Sequence, residues 1–414
     1  MATTKSPEAL PEQPRAIASA PAGARPRLVA ALFTPQGLFW ALLLVLAVQA
    51  VILGQHPRRA LDFRVYLLAA ERFLAGAALY PPSDGFMPFK YAPVTAPLFL
   101  PFTLVPARVA AALWNLGSVL ALGALAQLIS RAASAPGERA PWHWAAPVAT
   151  VALLPALHLE LFYAQVDAIM LLLLVLTAVG AERGRTWGPA TAFAIALLLK
   201  PPAALLGLFL LARRHWRVLT ASIGVGLVLT LPSLARYGLD GLLTQGEAWL
   251  DTLARTTPPW ALGHNPQGLP TLLLSLVLPV ESVPSGSALA MAQGLALVLF
   301  VAVVAWSRAG PMELLAFCCL GVTLLSPLAW RANFVMAWPL LWATAARKTR
   351  GGLALVAVAG LTGVLTSDFL LGADGARHVL LWRPYALVFT ALLLWLSVLA
   401  RRAGRSEVPR TSLP

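Results

Sequence analysis

Charge is scarce in this 414-residue chain. Only 12% of its residues are charged, whereas 59% are hydrophobic and the mean hydropathy is +0.75. An ordinary soluble domain has about a quarter of its residues charged. So few charges cannot cover so much apolar surface in water, which excludes a set of soluble domains. The composition predicts a single all-α polytopic integral membrane protein, embedded in the lipid bilayer of the cell membrane.

Cysteine is scarcer still. The two cysteines, Cys318 and Cys319, are adjacent inside an apolar run. Neighbouring helix residues point in different directions, so the pair indicates neither a disulfide framework nor a metal site. The six histidines are scattered, and no His, Cys or Asp cluster has metal-ligand spacing. We expect no cofactor, and a divalent ion is left open without being indicated.

Nucleotide-binding patterns are also missing from fitting contexts, which argues against a nucleotide-driven transporter or a nucleotide-sugar enzyme. Apolar runs instead follow one another and predict about 12 transmembrane helices. These runs cover about 37–54, 107–130, 144–158, 166–181, 187–199, 201–212, 216–233, 285–306, 312–326, 333–346, 352–367 and 385–400. Lys200-Pro201-Pro202 breaks the pair 187–199 and 201–212, which we expect to form a hairpin. The proline-flanked stretches 92–105 and 269–280 are predicted to be re-entrant half-helices.

The distribution of charge predicts the orientation. Residues 1–36 are expected to be a disordered cytoplasmic tail, 37–400 a single transmembrane domain, and 401–414 a basic cytoplasmic tail. With both termini inside, the cytoplasmic side holds 19 of the 31 basic residues but only 6 of the 17 acidic ones. This is the positive-inside pattern. The net charge of +14 is therefore a topology signal and does not indicate nucleic-acid binding.

Two long loops, about 55–106 and 234–284, fall on the outer side together with most of the acidic residues. We therefore expect the active site to face outside. The first loop opens on Asp62, at the start of a segment with one apolar and one charged face, which is typical of an amphipathic helix on the membrane surface. Asp62 stands where a helix cap belongs, and Gly76 stands where a helix ends.

A series of short motifs resembles glycosyltransferase family 87, whose members are integral-membrane enzymes of the GT-C superfamily typified by polyprenyl-phosphate-mannose-dependent mannosyltransferases. The motifs are Asp62-Phe63-Arg64-Val65-Tyr66, Gly76-Ala77-Ala78-Leu79-Tyr80, Phe89-Lys90-Tyr91-Ala92-Pro93, Tyr163-Ala164-Gln165-Val166-Asp167, Leu199-Lys200-Pro201-Pro202 and Ser326-Pro327-Leu328-Ala329-Trp330. They occur in the family's order over about 60–340. The resemblance implies a GT-C-like fold with short re-entrant and amphipathic outer helices.

The resemblance also implies the reaction. A hexose, mannose in the typical members, would pass from a polyprenyl-phosphate sugar donor to a glycolipid or glycan acceptor by a single inverting displacement. Asp62 would be the catalytic base, and Lys200 and Arg331 would bind the donor phosphate. Substrate-binding residues would be Tyr66, Tyr91, Gln165, Asp167, His264, Asn265 and Gln267.

Simpler roles remain open for these residues. Asp62 and Asp167 would also serve as helix caps, Lys200 would snorkel to the membrane surface, and Arg331 would be an interface anchor. The chain also departs from the family at two places. His264-Asn265-Pro266-Gln267-Gly268 stands where the family often has Asn-Gln-Ser, and Arg331-Ala332-Asn333 stands where an acid and a histidine are common. The alternatives are a polytopic transporter or lipid-carrier flippase, and a catalytically silent relative.

Overall fold

The computed structural model describes residues 33–85, 87–133 and 144–406, with side chains as far as residue 403. Within these residues the chain is helical and has no β-strand, which confirms the all-α prediction. The α-helices are α1 (Pro35–Gln55), α2 (Leu61–Ala75), α3 (Ala107–Ala132), α4 (Ala145–Ala152), α5 (Leu154–Tyr163), α6 (Asp167–Glu182), α7 (Trp187–Leu199), α8 (Leu206–Ala212), α9 (Trp216–Thr256), α10 (Pro258–Ala261), α11 (Leu269–Ser275), α12 (Gly286–Ser307), α13 (Pro311–Leu324), α14 (Trp338–Ala346), α15 (Arg350–Leu365), α16 (Asp368–Leu381) and α17 (Pro384–Ser406). Four 3₁₀ segments lie between them: Pro82–Asp84, Pro93–Leu104, Pro201–Leu205 and Arg331–Ala337.

Most of the two predicted tails lies outside the described residues, at 1–32 and 407–414. Within the description, α1 begins at Pro35 and α17 continues to Ser406. The tails therefore stay a prediction, apart from these helical ends.

Among the residues that the structure describes, five helices are long and apolar enough to cross a membrane, namely α1, α3, α9, α12 and α17. Two bent pairs raise the number to seven if each is one span: α4 with α5, bent by 61°, and α15 with α16, bent by 89°. The chain is a multi-pass membrane protein. The count of about 12 crossings stays a prediction, because the other apolar helices have only 10–17 residues.

The helices α7 and α8 form the predicted hairpin around Lys200. Lys200 Nζ contacts Asp167, the first residue of α6, whereas Arg213, just after α8, pairs with Glu182, the last residue of α6. α7 therefore runs antiparallel to α6 as far as Lys200, and α8 returns toward the end of α6. Pro201 and Pro202 cause the break, because a proline cannot continue the preceding helix.

The loop 55–106, which is predicted to lie on the outer side and is called the first outer loop here, contains the predicted amphipathic helix, α2. Its inner face buries Phe63, Tyr66 and Phe73, while Arg64 is exposed. The helix ends at Gly76, whose φ of 67° lies in the left-handed region that favours glycine. This aromatic face packs onto the 3₁₀ segment Pro93–Leu104 and onto α3, so α2 is held against the membrane helices.

The second outer loop is more helical than the sequence suggested. α9 does not end near residue 233 but continues to Thr256, with a bend at Gly238, where φ is 68°. This helix brings Trp249 and Leu253 beside the first outer loop. The stretch 92–105 is a 3₁₀ segment containing Pro97 and Pro101, and in 269–280 only α11 is helical. Their re-entrant character stays a prediction.

Close packing of α1 on α3 gives the first testable prediction. A Cβ at Gly54 would lie 2.5 Å from the backbone Cα and N of Ala112, so Gly54→Ala must push the two helices apart. Overpacking of this kind costs about 1–3 kcal/mol. We expect a lower midpoint of thermal unfolding for the purified protein in detergent.

The matched control is Gly117→Ala in α3, where a Cβ would meet nothing within 4 Å. It should be neutral or slightly stabilising, because alanine favours a helix over glycine by up to about 1 kcal/mol. Equal midpoints for the two variants would contradict the predicted clash.

Candidate active site

A cavity of about 980 Å³ lies between the first outer loop, the apex of the α7/α8 hairpin, α9 and the segment that follows α13. Most of the residues predicted for the site line this one cavity: Asp62, Tyr66, Tyr91, Gln165, Asp167, Lys200 and Asn265. Residues separated by more than 200 positions in the chain thus share one space. The rest of the lining is largely apolar and includes Trp249, Trp260 and Leu289.

Asp62 is the second residue of α2 and does not cap it. The N-cap is Ala60, whose φ is 55°, and no side chain caps the helix, so the alternative role of Asp62 as a cap is wrong. Because Asp62 lies inside the first turn, its carboxylate reaches across to the α5–α6 connection. There Asp62 Oδ2 accepts a hydrogen bond of 2.5 Å from Gln165 Nε2.

The surroundings of Asp62 raise the pKa of its carboxyl group from 3.8 to about 7. Burial is the largest cause, because it disfavours the charged form, and the negative charge of Asp167 adds to it. The positive charges of Lys200 and Lys90 and the hydrogen bond from Gln165 oppose the rise in pKa. A carboxyl group with this pKa can accept and release a proton near neutral pH, as a general base requires.

Lys200 and Asp167 form an ion pair in the floor of the cavity. Lys200 Nζ lies 2.6 Å from Asp167 Oδ1, and the two side chains are 24% and 1% exposed. Asp167 begins α6 and Lys200 stands at the proline break after α7, so each is at a helix end. The ammonium group has three N–H donors, and one is used here. Lys200 therefore lines the cavity with donors to spare.

Asn333 is a further residue of the site, which in the sequence stands out only as part of the departure Arg331-Ala332-Asn333 from the family. Its amide nitrogen donates to Gln165 Oε1 and to Asp167 Oδ2, both at 2.7 Å. It lies in the 3₁₀ segment Arg331–Ala337, and its Oδ1 accepts from the backbone N–H of Trp330 at 2.8 Å. A signal was available in the sequence, because Asn333 stands three residues after the Trp330 that ends the Ser-Pro-x-x-Trp motif, but no charge or spacing set it apart.

An aromatic wall forms the side of the cavity nearest the first outer loop. The hydroxyl groups of Tyr66 and Tyr91 are 2.8 Å apart, and their rings meet edge to face. Tyr80 donates to the carbonyl of Tyr91 at 2.6 Å, and the Trp249 indole donates to the carbonyl of Lys90 at 2.9 Å. These bonds hold the loop and α9 together, so Tyr66 and Tyr91 face the cavity from a rigid surface.

Three predicted residues do not line the cavity. Arg331 donates to the carbonyl of Thr366, the C-cap of α15. The Gln267 side chain is fully buried and donates to the carbonyls of His264 and Leu380. His264 lies in the same α10–α11 connection as Gln267. The geometry thus gives Arg331 and Gln267 structural partners, and the roles proposed for all three in binding substrate stay predictions.

Two further ionisable residues lie at the cavity or directly behind it. Lys90 lines the cavity, and no carboxylate of the described residues lies within ion-pair distance of it. Burial lowers the pKa of Lys90, and Asp62 opposes the change. Glu160 is buried behind the cavity, where its Oε1 accepts from the backbone N–H of Ala168 in the first turn of α6. Glu160 therefore caps the helix that presents Asp167.

Metal binding was left open by the sequence. Within the described ranges, no group of three or more His, Cys, Asp or Glu side chains comes together to hold an ion. The expectation that no cofactor is needed stays a prediction.

Two carboxyl groups and two ammonium groups thus line one cavity of a multi-pass membrane protein, an arrangement that suits proton abstraction and the binding of a phosphate. The sequence model of Glycosyltransferase family 87 matches residues 89–330, more than half of the chain. The chain belongs to glycosyltransferase family 87, as its motifs predicted. The matched region includes Lys90, Gln165, Asp167 and Lys200 and begins after Asp62, so the family match does not bear on the role predicted for Asp62.

One curated relative is the polyprenol-phosphate-mannose-dependent alpha-(1-2)-phosphatidylinositol pentamannoside mannosyltransferase of Mycolicibacterium smegmatis. It is 24% identical over an alignment of 315 positions, and the match covers 68% of this chain and 68% of the relative. Among solved structures, ArnT from Cupriavidus metallidurans bound to undecaprenyl phosphate is similar with a TM-score of 0.38. That alignment has 17% sequence identity and covers 93% of this chain and 80% of ArnT. The similarity to ArnT is too low to assign any residue.

The Lys200–Asp167 pair gives a prediction about stability. Asp167→Asn removes one charge and leaves the lysine without its buried partner, which costs about 3–5 kcal/mol for a pair of this kind. We expect a large drop in the midpoint of thermal unfolding in detergent.

The matched control is the double variant Asp167→Asn, Lys200→Met, which removes both charges. Its loss of stability should be smaller than the sum of the two single losses, since residues in contact are not additive. Strict additivity would show that the pair contributes no coupling.

Proposed function

We propose that the chain transfers a hexose, mannose, from a polyprenyl-phosphate donor to a glycolipid or glycan acceptor on the extracytoplasmic side of the membrane. Family membership supports glycosyl transfer, and the mannosyltransferase relative supports this donor class. One observation carries the proposal: Asp62, with a pKa of about 7, shares a single cavity with two lysines. A silent relative would have no need to retain this costly arrangement of buried charge.

Asp62 is the base of the proposed reaction. The acceptor hydroxyl loses its proton to the carboxylate as its oxygen bonds to the anomeric carbon of the sugar. The bond from that carbon to the phosphate oxygen breaks on the opposite face, and its electron pair leaves with the polyprenyl phosphate. One displacement inverts the anomeric centre and needs one carboxylate on the acceptor side.

Asp62 suits this role better than the other acid of the cavity. Asp167 accepts hydrogen bonds on both oxygens, from Lys200 and from Asn333. Asp62 has one oxygen occupied, by Gln165. The second oxygen of Asp62 is therefore the one available to a hydroxyl group in the cavity.

Lys90 and Lys200 serve the leaving phosphate. Both are near enough to Asp62 to lower its pKa, so both act on the same end of the cavity. Lys200 keeps donors beyond its bond to Asp167, and within the described part of the chain Lys90 Nζ has only a long contact of 3.5 Å, with the carbonyl of Thr256. Fixed positive charge in a site with little water stabilises the charge that develops on the leaving oxygen.

The acid side of the pH profile tests the base. Protonated Asp62 cannot accept a proton, so kcat/KM should fall as the pH drops below about 7 and should level off above it. Asp62→Asn should lower the rate by about 10²–10⁴-fold, the usual contribution of a general base. The assay is transfer of labelled sugar from polyprenyl-phosphate-mannose in membranes of the native host lacking its own copy.

The control is Asp84→Asn, which changes a carboxylate of the same outer loop that pairs with Arg72 and does not line the cavity. It should keep both the rate and the pH profile. Unchanged transfer by the Asp62 variant would remove Asp62 from the mechanism, and wild-type chain that transfers no sugar would contradict the proposed function.

The sidedness of the site is tested by cysteine labelling. Cys318 and Cys319 are both buried, so the background should be low. A maleimide that cannot cross membranes should label Ser83→Cys in intact cells, because Ser83 is exposed in the first outer loop. Gly184→Cys, in the exposed turn after α6, should react only after the membrane is opened. The reverse pattern would place the cavity on the cytoplasmic side.

A further inference from the structure

Asn333 makes three side-chain hydrogen bonds at the back of the cavity and is only 9% exposed. The Trp330 backbone N–H can only donate, so the Asn333 atom facing it, at 2.8 Å, must be the amide oxygen. The backbone of Asn333 is also held, since its carbonyl accepts from Thr323 Oγ1 at 2.8 Å. The fold thus determines which way round the Asn333 amide lies.

This orientation passes to Gln165. The Asn333 NH₂ group donates to the Gln165 oxygen at 2.7 Å, so the Gln165 NH₂ group is the one that faces Asp62. A reversed Gln165 would set two NH₂ groups against each other and an oxygen against the carboxylate. The hydrogen bonds therefore run in one direction from Trp330 to Asp62.

The consequence falls on the two oxygens of Asp62. Its Oδ2 receives the Gln165 N–H at 2.5 Å, so a proton on this carboxyl group must sit on Oδ1. The hydrogen bond to Oδ2 also favours the ionised form of Asp62.

The second hydrogen of the same NH₂ group reaches the other half of the site. Asn333 donates to Asp167 Oδ2 at 2.7 Å, while Lys200 occupies Asp167 Oδ1 at 2.6 Å. Asp167 is thereby held in place as the partner of Lys200. One amide group connects the base with the ion pair that carries Lys200.

We propose that Asn333 is a positioning residue that selects Asp62 Oδ1 as the proton-accepting atom and, through Asp167, aligns Lys200 for the leaving phosphate. The inference rests on the proposed function, because it assigns Asp62 and Lys200 their roles.

Asn333→Asp is the sharpest test. Aspartate has the same shape and still accepts from Trp330, but it cannot donate to Gln165 or Asp167. We expect kcat to fall about 10- to 100-fold, as for a misplaced catalytic group. The acid limb of the kcat/KM profile should move up by about half to one pH unit, because Asp62 loses support for its charged form. Asn333→Ala should move the limb in the same direction and less far, since it adds no charge.

Asn115→Ala is the control for a merely structural role. Asn115 is fully buried in α3, away from the cavity lining, and donates to the carbonyls of Ala50 and Leu161. Its replacement should lower the midpoint of thermal unfolding and leave the acid limb in place. If the Asn333 variants behave like Asn115→Ala, with an unmoved acid limb, the inference is overturned.

Gln165→Glu keeps the test open if both Asn333 variants fail to fold. Glutamate still accepts from Asn333 but presents an oxygen to Asp62, so the acid limb should again move up; an unmoved limb overturns the inference.

The assay is the membrane transfer reaction with labelled polyprenyl-phosphate-mannose, with Asp62→Asn measured in parallel. An active Asp62→Asn removes Asp62 from the mechanism, and wild-type chain that transfers no sugar refutes the proposed function. An inactive Asp62→Asn with wild-type acid limbs for the Asn333 and Gln165 variants refutes this inference alone.

Discussion

The pairing of Lys200 with Asp167 is the contact on which the cavity depends. Each charge alone would be expensive among apolar helices, at about 2.5–3.5 kcal/mol on insertion scales. Together they fix the apex of the α7/α8 hairpin against the first turn of α6. The other end of α6 is held to the same hairpin by Glu182 and Arg213. Ion pairs therefore hold α6 to the hairpin at both ends, and the first turn of α6, with Asp167, lines the cavity.

The remaining polar residues of the site follow from the same constraint. A helix in lipid satisfies its own backbone hydrogen bonds and presents apolar side chains, so polar groups concentrate where helices are interrupted. Gln165 follows Ala164, whose φ of 54° ends α5. Lys200 precedes two prolines, and Asn333 lies in a 3₁₀ segment. At the last of these interruptions the Asn333 side chain accepts from the backbone N–H of Trp330 and also lines the cavity.

Much of this arrangement could be predicted locally. The break at Lys200 is visible as Lys-Pro-Pro, Gly76 marks the end of α2, and Asp62 was found through its motif. The partners of these residues could not be predicted, because Gln165 meets Asp62 across 103 positions and Asn333 meets Asp167 across 166. In a soluble protein the apolar face of each helix indicates which side packs against its neighbours. Here nearly every run is apolar on all sides, so the sequence does not indicate which helices are in contact.

The sequence drew attention to Arg331 and not to Asn333 for a physical reason. Charge near a predicted phosphate site is the strongest signal in a sequence, whereas an amide carries none. In the structure, the guanidinium of Arg331 donates a hydrogen bond to the carbonyl of Thr366, the C-cap of α15. Carbonyl groups at helix C-termini are common partners of arginine side chains. The shorter neighbour Asn333 is then the residue that turns inward.

The charges lining the cavity balance: within the described residues they are Asp62, Asp167, Lys90 and Lys200. Under the proposed function, the donor phosphate adds a negative charge beside the two lysines. Since both lysines lower the pKa of Asp62, a phosphate that offsets their charge would raise it. The carboxylate would thus become a stronger base when the donor is bound and the acceptor hydroxyl must be deprotonated. As the phosphate leaves it gains a further charge, which the same lysines stabilise, so the base and the leaving group are coupled through two ammonium groups and need no direct contact.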